Sequence, residues 1–359
     1  MVPRRVARPS CGAPVVSIVL PVRDGAAWLA RACTSVLACE TPAELIVVDD
    51  GSRDESARIA TALSEQDVRI RVIRRPADGL VAALRCGVSM SRGRLLARMD
   101  CDDVSLPGRI DIQVARWQEL GADDRDVISC LIEPFRDHAP PASDAQDAPG
   151  EGIVRYCRWL DSMRTPSDHW RGRLIESPLC HPTVLVARAF VEQVGGYRDG
   201  PFPEDYDLWL RLIEAGARVH KVDEKLFLWQ DRPGRATRVD PRYAASAFAP
   251  LKLNHLRRTW LEPRAIKGVQ ICGAGRDAKR WIDRLRSVGV AVLRAFDVHD
   301  GRIGQRIRGD VDVVSHVELG RYRRVPTLVA IGRAGGRDEL RTELTELGMT
   351  EAEDFLFLQ

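Results

Sequence analysis

Three acidic clusters and one glycine-rich turn hold the side chains whose types and spacing could do chemistry. Asp49-Asp50-Gly51-Ser52 follows an apolar run. Carboxylates at a strand end can accept hydrogen bonds from a nucleobase N–H or a ribose hydroxyl, and Asp and Gly are equally ordinary turn residues. Asp100-x-Asp102-Asp103 is sharper. Three acidic side chains within four positions repel one another unless a cation offsets them. Mg²⁺ and Mn²⁺ take oxygen ligands, commonly one or two carboxylates plus substrate phosphates. Glu204-Asp205-Tyr206-Asp207 opens a helical pattern. Carboxylates in a first turn are favoured by the helix dipole, and one held against an acceptor hydroxyl can act as a general base. Gly273-x-Gly275-x-x-Ala278 has Asp297 about 24 residues on, a spacing that can cradle a phosphate and bind a ribose hydroxyl. Tight strand–helix packing is the other use of such glycines.

The elements that must position these groups follow from periodicity. Val15–Leu20, stopped by Pro21, Glu44–Val48, Arg69–Ile73 and Leu95–Met99 read as strands. The segments after Asp24-Gly25, Ser56–Ser64 and Leu80–Met90 read as helices between them. Alternation of this kind implies a parallel sheet with helices on both faces. Its ligands bind at the carboxyl ends of the strands, where Asp49-Asp50 and Asp100–Asp103 fall. Val184–Val186 reads as a further strand and Glu204–Ala215 as a helix closed by Gly216. The pattern restarts near Pro263 with strand Val269–Cys272, the glycine turn, helix Lys279–Val288 and strands Ala291–Phe296 and Thr327–Ile331. The expected organisation is therefore a short flexible N-terminus (1–14), an α/β domain over 15–261 and a smaller α/β domain over 262–359. A Pro-, Ala- and Asp-rich stretch, 137–152, is expected as a flexible insertion in the first domain.

Composition excludes several classes. With 359 residues and 45% hydrophobic and 29% charged side chains, the chain can bury a core without metals or disulfides. Of 54 basic residues only five are Lys, which leaves 49 Arg, but 51 acidic residues hold the net charge to +3. That is too weak a bias for a nucleic-acid partner. Nine cysteines, an odd number with no Cys-x-x-Cys, argue against a zinc ribbon and a disulfide framework and for a reducing, cytoplasmic setting. The N-terminus has no apolar segment of a secretory signal, and no run of about 18 apolar residues marks a membrane span.

Taken in order, the motifs resemble the family 2 inverting glycosyltransferases of GT-A fold. The matching stretches are Val16–Asp24, Ile46–Ser52, Ala97–Asp103, His181-Pro182-Thr183, Val194-Gly195-Gly196-Tyr197-Arg198 and Glu204–Arg211. They cover about residues 15–235. The resemblance implies that Pro21 and Asp50 line a nucleoside pocket. It makes Asp100 and Asp102 the DxD motif, contacting ribose and a divalent metal, with Asp103 sharing the metal, and it makes Asp205 the catalytic base. Glu204 and His181 stand in matching motifs as acceptor-side or structural residues. Cys101 replaces the small residue common inside the DxD, and Arg23-Asp24 stands where many relatives carry Tyr-Asn. Arg232 and Arg235, after Trp229-Gln230-Asp231, are the candidates for meeting a diphosphate.

The implied activity is metal-dependent transfer of a sugar, with Mn²⁺ or Mg²⁺. The donor would be a nucleotide diphosphate, UDP-linked by expectation, and the acceptor a saccharide or a lipid-linked glycan of bacterial surface polysaccharide or glycoconjugate synthesis. A lipid-linked acceptor brings peripheral association with the inner face of the membrane. Two rival readings are a nucleotidyltransferase on a related α/β fold and a nucleotide-sugar-binding scaffold. The C-terminal part resembles Rossmann-like modules appended to bacterial polysaccharide-synthesis enzymes, which makes Gly273, Gly275 and Asp297 a candidate second nucleotide site.

Overall fold

The structure, a computed structural model, describes residues 13–136, 148–332 and 335–359. The expected flexible N-terminus and the expected insertion lie mostly outside these residues. The chain divides into two compact units, Met1–Pro166 with Leu179–Tyr243, and Ser167–Pro178 with Ala244–Gln359.

The first unit is built on eight strands: β1 (Val16–Val22), β2 (Ala43–Asp50), β3 (Ile70–Arg75), β4 (Leu95–Arg98), β5 (Val104–Ser105), β6 (Asp126–Phe135), β7 (Leu185–Ala187) and β8 (Arg218–Gln230). They lie in the order β3-β2-β1-β4-β7-β6-β8-β5. The first four are mutually parallel, β7 runs antiparallel to both its neighbours, and β6 and β8 pair in parallel. Helices cover both faces, so β1 and β2 are buried along their whole length, as their unbroken apolar runs require. The α/β class and the largely parallel sheet expected from the sequence are both present.

Two local expectations need correction. The first strand does not stop before Pro21 but runs on to Val22. Its pairing with β4 ends at Val19↔Arg98, while β2 continues beside it through Val22↔Asp49. Pro21 therefore occupies a stretch with a ladder partner on one side only, where a missing N–H is tolerated. The C-terminal helix starts at Arg276, three residues before Lys279.

A buried polar knot secures the amino-terminal edge of this sheet. Glu44, 2% exposed, accepts the Ser17 hydroxyl at 2.6 Å and the Arg92 N–H at 2.8 Å. The guanidinium groups of Arg71 (2.8 Å) and Arg92 (2.9 Å) meet its other oxygen. Burial alone raises a carboxyl pKa, but these donors outweigh it and pull Glu44 down to about 2. A carboxylate whose folded pKa is depressed stabilises above its unfolded value and loses that contribution as pH falls through the folded one. Glu44→Gln is expected to cost about 3 kcal/mol at pH 7. The gap to wild type should close between roughly pH 5 and pH 2. Denaturant unfolding at pH 7 and pH 3 checks this; an equal gap at both values refutes it.

The second unit carries a six-stranded sheet: β9 (Gly268–Cys272), β10 (Ala291–Asp297), β11 (Arg306–Ile307), β12 (Val311–Ser315), β13 (Thr327–Val329) and β14 (Phe355–Phe357). The order is β11-β12-β10-β9-β13-β14, parallel except for the edge pair β11–β12. This unit begins earlier than the strand pattern alone indicates. Helix Ala245–Leu256 and the π-turn Arg257–Leu261 belong to it because Leu253, Leu256, Trp260 and Leu261 bury against Val269 and Ile271.

Candidate active site

The carboxyl ends of β1, β2 and β4 bring Pro21, Asp50 and Asp100 to one edge of the first unit. Gly51 must turn the chain there, with φ +69° and a position where a Cβ would meet the Ala77 backbone nitrogen at 2.9 Å. Asp49 closes this turn by accepting the Ser52 N–H at 3.0 Å. Asp50, 3% exposed, accepts the backbone N–H groups of Asp78 (3.0 Å) and Gly79 (2.9 Å), and the Arg23 guanidinium stands 3.9 Å away. Each Asp50 oxygen keeps one lone pair for another donor. Asp49 is thus occupied with the turn, and Asp50 ties the turn to the start of helix Leu80–Ser89.

The three acidic side chains after β4 are held from two parts of the chain, the end of β4 and the segment around Gln230–Arg232. Asp100 pairs with Arg98, two residues back on the same strand edge. Asp102 accepts from Arg232 at 2.5 Å, and Arg232 lies over the Trp28 ring. Asp103, 2% exposed, accepts the Gln230 N–H at 2.8 Å through one oxygen, while its other oxygen is buried with no partner among the described residues. Ligand atoms of all three lie within 4.8 Å of one another. Burial, then the charges of Asp102 and Asp100, hold the Asp103 carboxyl well above the usual carboxylate range. A buried orphan oxygen inside a cluster of hard oxygen donors fits a divalent cation.

Pro203 leads into helix Glu204–Glu214. Glu204, 1% exposed, receives the Tyr243 hydroxyl on both oxygens, at 2.9 and 2.8 Å. Asp205 accepts the Tyr206 N–H at 2.7 Å. Burial and the neighbouring Glu204 push the Asp205 carboxyl up to about 7. One oxygen of Asp207 receives both Nε (2.9 Å) and Nη2 (2.6 Å) of Arg211. The same guanidinium donates to the Val194 and Gly196 carbonyls at 2.6 and 2.7 Å. The Val194–Arg198 loop and the helix are fixed together by this one arginine. Asp207 is thereby committed to holding the loop against the helix. His181 is buried, bonded to the Tyr197 hydroxyl at 2.7 Å, and depressed well below an ordinary histidine by burial and by Arg98. These contacts pack His181 against Tyr197 and Trp209 and disfavour its charged form.

Arg98 was not singled out in the sequence. It is 7% exposed, and its charge acts on Asp100 and Asp103 on one side and on Glu204 and Asp205 on the other. Its spacing from Asp100 puts both on one side of a strand end, which is a readable signal. Arg109 was missed as well. Fully buried, it donates to Ser105 Oγ (2.9 Å) and to the Pro182 carbonyl (2.5 Å), binding the segment after the acidic cluster to the His181 turn. Tyr243, about 40 residues from Glu204, had no local signal. Arg235, the other diphosphate candidate, stacks on Trp229 at 3.9 Å.

In the second unit, Gly273 has φ +105° and a Cβ there would meet the Ala330 carbonyl oxygen at 2.6 Å, so the residue serves close strand–turn packing. Asp297 accepts the Ala274 N–H (2.9 Å), the His299 N–H (3.0 Å) and Arg302 (3.0 Å).

Comparison with known proteins bears on the family and the fold. The model of "Glycosyl transferase family 2" matches residues 17–174. The putative glycosyltransferase EpsE of Bacillus subtilis is 30% identical over 220 residues, 60% of this chain and 72% of EpsE. The chain belongs to glycosyl transferase family 2. This family 2 enzyme is also 32% identical over 210 residues to the succinoglycan biosynthesis protein ExoU of Rhizobium meliloti, covering 56% of this chain and 58% of ExoU. The fold matches that of S. aureus TarS 1-349, solved in complex with UDP-GlcNAc, with a TM-score of 0.50 at 14% identity, over 70% of this chain and 68% of that one. The first unit is therefore a GT-A glycosyltransferase fold, and membership decides for sugar transfer over nucleotidyl transfer. No helix among the described residues is long and apolar enough to cross a membrane.

Proposed function

We propose that this family 2 glycosyltransferase is a divalent-cation-dependent, inverting enzyme. It would move a sugar from a UDP-linked donor to a saccharide or lipid-linked acceptor in surface polysaccharide synthesis. The observation that carries the reading is the half-buried Asp205 carboxyl lifted to about 7, with Arg98 acting electrostatically on both it and the Asp100–Asp103 cluster. TarS was solved with a UDP-sugar and ExoU is named for succinoglycan biosynthesis, which supports the donor and acceptor classes.

Asp100, Asp102 and Asp103 would hold Mn²⁺ or Mg²⁺, which when bound supplies positive charge against the donor diphosphate. Asp50, with a lone pair left on each oxygen, and Pro21 border the nucleoside. Asp205 takes the proton from the acceptor hydroxyl as that oxygen attacks the anomeric carbon. The bond from the anomeric carbon to the diphosphate breaks, and its electron pair leaves with the nucleoside diphosphate. One displacement inverts the anomeric centre. Arg232, already against Asp102, is placed to meet the departing charge. Incubation with a panel of nucleotide sugars and Mn²⁺, scored by nucleoside diphosphate release, is expected to show turnover with UDP-sugars. Release from none of them, with or without saccharide acceptors, refutes the donor class.

A further inference from the structure

The glycine turn of the second unit opens into a cleft of about 360 Å³ lined by Arg276, Lys279, Arg280, Arg302 and Arg308. Three of these cations are matched: Arg280 faces Asp277 at 3.3 Å, Arg302 faces Asp297 at 3.0 Å, and Arg308 faces Asp283 at 2.6 Å. Arg276 and Lys279 have no acidic partner among the described residues, so the cleft carries two uncompensated positive charges. They sit three apart in the first turn of the helix Arg276–Ser287 and thus on one side of it. The helix has no side-chain cap at its N-terminus, and its dipole adds further positive potential there. The volume falls in the range of small-molecule sites rather than that of a macromolecular surface.

We infer that this cleft binds a small phosphorylated molecule through its phosphate groups, as a site of its own in the second unit. Two surplus cations match the charge of a phosphate dianion, and guanidinium and ammonium donors are its usual partners. Asp297 does not take the ribose-binding role its spacing suggested. Three of its roughly four acceptor positions are engaged by Ala274, His299 and Arg302. It braces the turn and orients Arg302, and recognition falls to the cations.

The test is calorimetric titration of the full chain in EDTA with inorganic pyrophosphate and, separately, with ADP. Chelation removes the cation on which donor binding at the acidic site is proposed to depend. Wild type and Asp102→Ala are expected to bind alike, while Arg276→Glu/Lys279→Glu, both at exposed or half-buried positions, should weaken binding at least tenfold. ADP binding at least tenfold tighter than pyrophosphate identifies a nucleotide as the source of the phosphate. Equal affinities identify a free polyphosphate, and either result supports the site when the double variant loses it. Equal binding by the double variant and wild type overturns the proposal, as does no binding of either probe by wild type at millimolar concentration.

Discussion

Asp205→Asn is expected to lower kcat about a thousandfold, within the range for removing a general base, while the affinity for a UDP-sugar stays within about twofold. The substitution keeps the shape of the side chain and its acceptance of the Tyr206 N–H, and removes only the ability to take a proton. Glu204, more deeply buried and already facing the Tyr243 hydroxyl, is not expected to take its place. Initial rates with saturating donor, together with donor titration of the same variant, separate the two effects. Turnover near wild type would refute the assignment.

The same residue sets a pH dependence whose sign follows from its chemistry. A base works ionised, and Asp205 is pushed up to about 7 by burial and by Glu204. The rate at subsaturating substrate should therefore fall about tenfold per pH unit below 7 and level off above it. Glu204→Gln removes the adjacent negative charge and should move the inflection to lower pH. An unmoved inflection would assign the titration to another group. The two carboxyls interact, so the midpoint belongs to the pair rather than to Asp205 alone.

Much of this site was legible because parallel strands write themselves plainly. β1, β2 and β4 are apolar runs, β2 ends in carboxylates and β4 leads into them, and the carboxyl ends of such strands are where these sheets bind ligands. β6 and β8 were not legible. β8 reads Arg218-Val219-His220-Lys221-Val222-Asp223-Glu224-Lys225, with charges at positions that a buried strand would fill with apolar groups. The structure explains it. Lys221 runs its apolar stem inward, donates to the Leu160 carbonyl at 2.5 Å and is pulled down to about 8 by burial. Irregular register between β6 and β8 near Ser129–Ile132 breaks any simple alternation. Arg98, Arg232 and Tyr243 show the same limit from the side of chemistry. Each meets a carboxylate brought to it by the tertiary fold or the local strand end; Arg232 was a candidate for a diphosphate, but its pairing with Asp102, 130 residues away, left no local trace.

The second large effect concerns the Asp100–Asp103 cluster. The cluster is held in part by cations from the chain itself, Arg98 on Asp100 and Arg232 on Asp102, and one Asp103 oxygen is buried without a partner among the described residues. Asp102→Ala is expected to reduce transfer about a thousandfold, comparable to losing several kcal/mol of charge stabilisation, and EDTA should abolish activity that Mn²⁺ restores. Stability gives an independent reading. At 100 times its dissociation constant a bound ion adds about 2.7 kcal/mol to the folded state. Mn²⁺ should then raise the wild-type melting temperature by several degrees, roughly 2–4 °C per kcal/mol at this size. Asp103→Asn should lose that rise while its metal-free melting temperature stays within about 2 °C of wild type. Burial raises the Asp103 carboxyl well above the ordinary range, which favours its neutral form, and the amide keeps the shape of that form. A metal-dependent rise that survives in both variants would place the ion elsewhere, and activity indifferent to EDTA would remove it from the reaction.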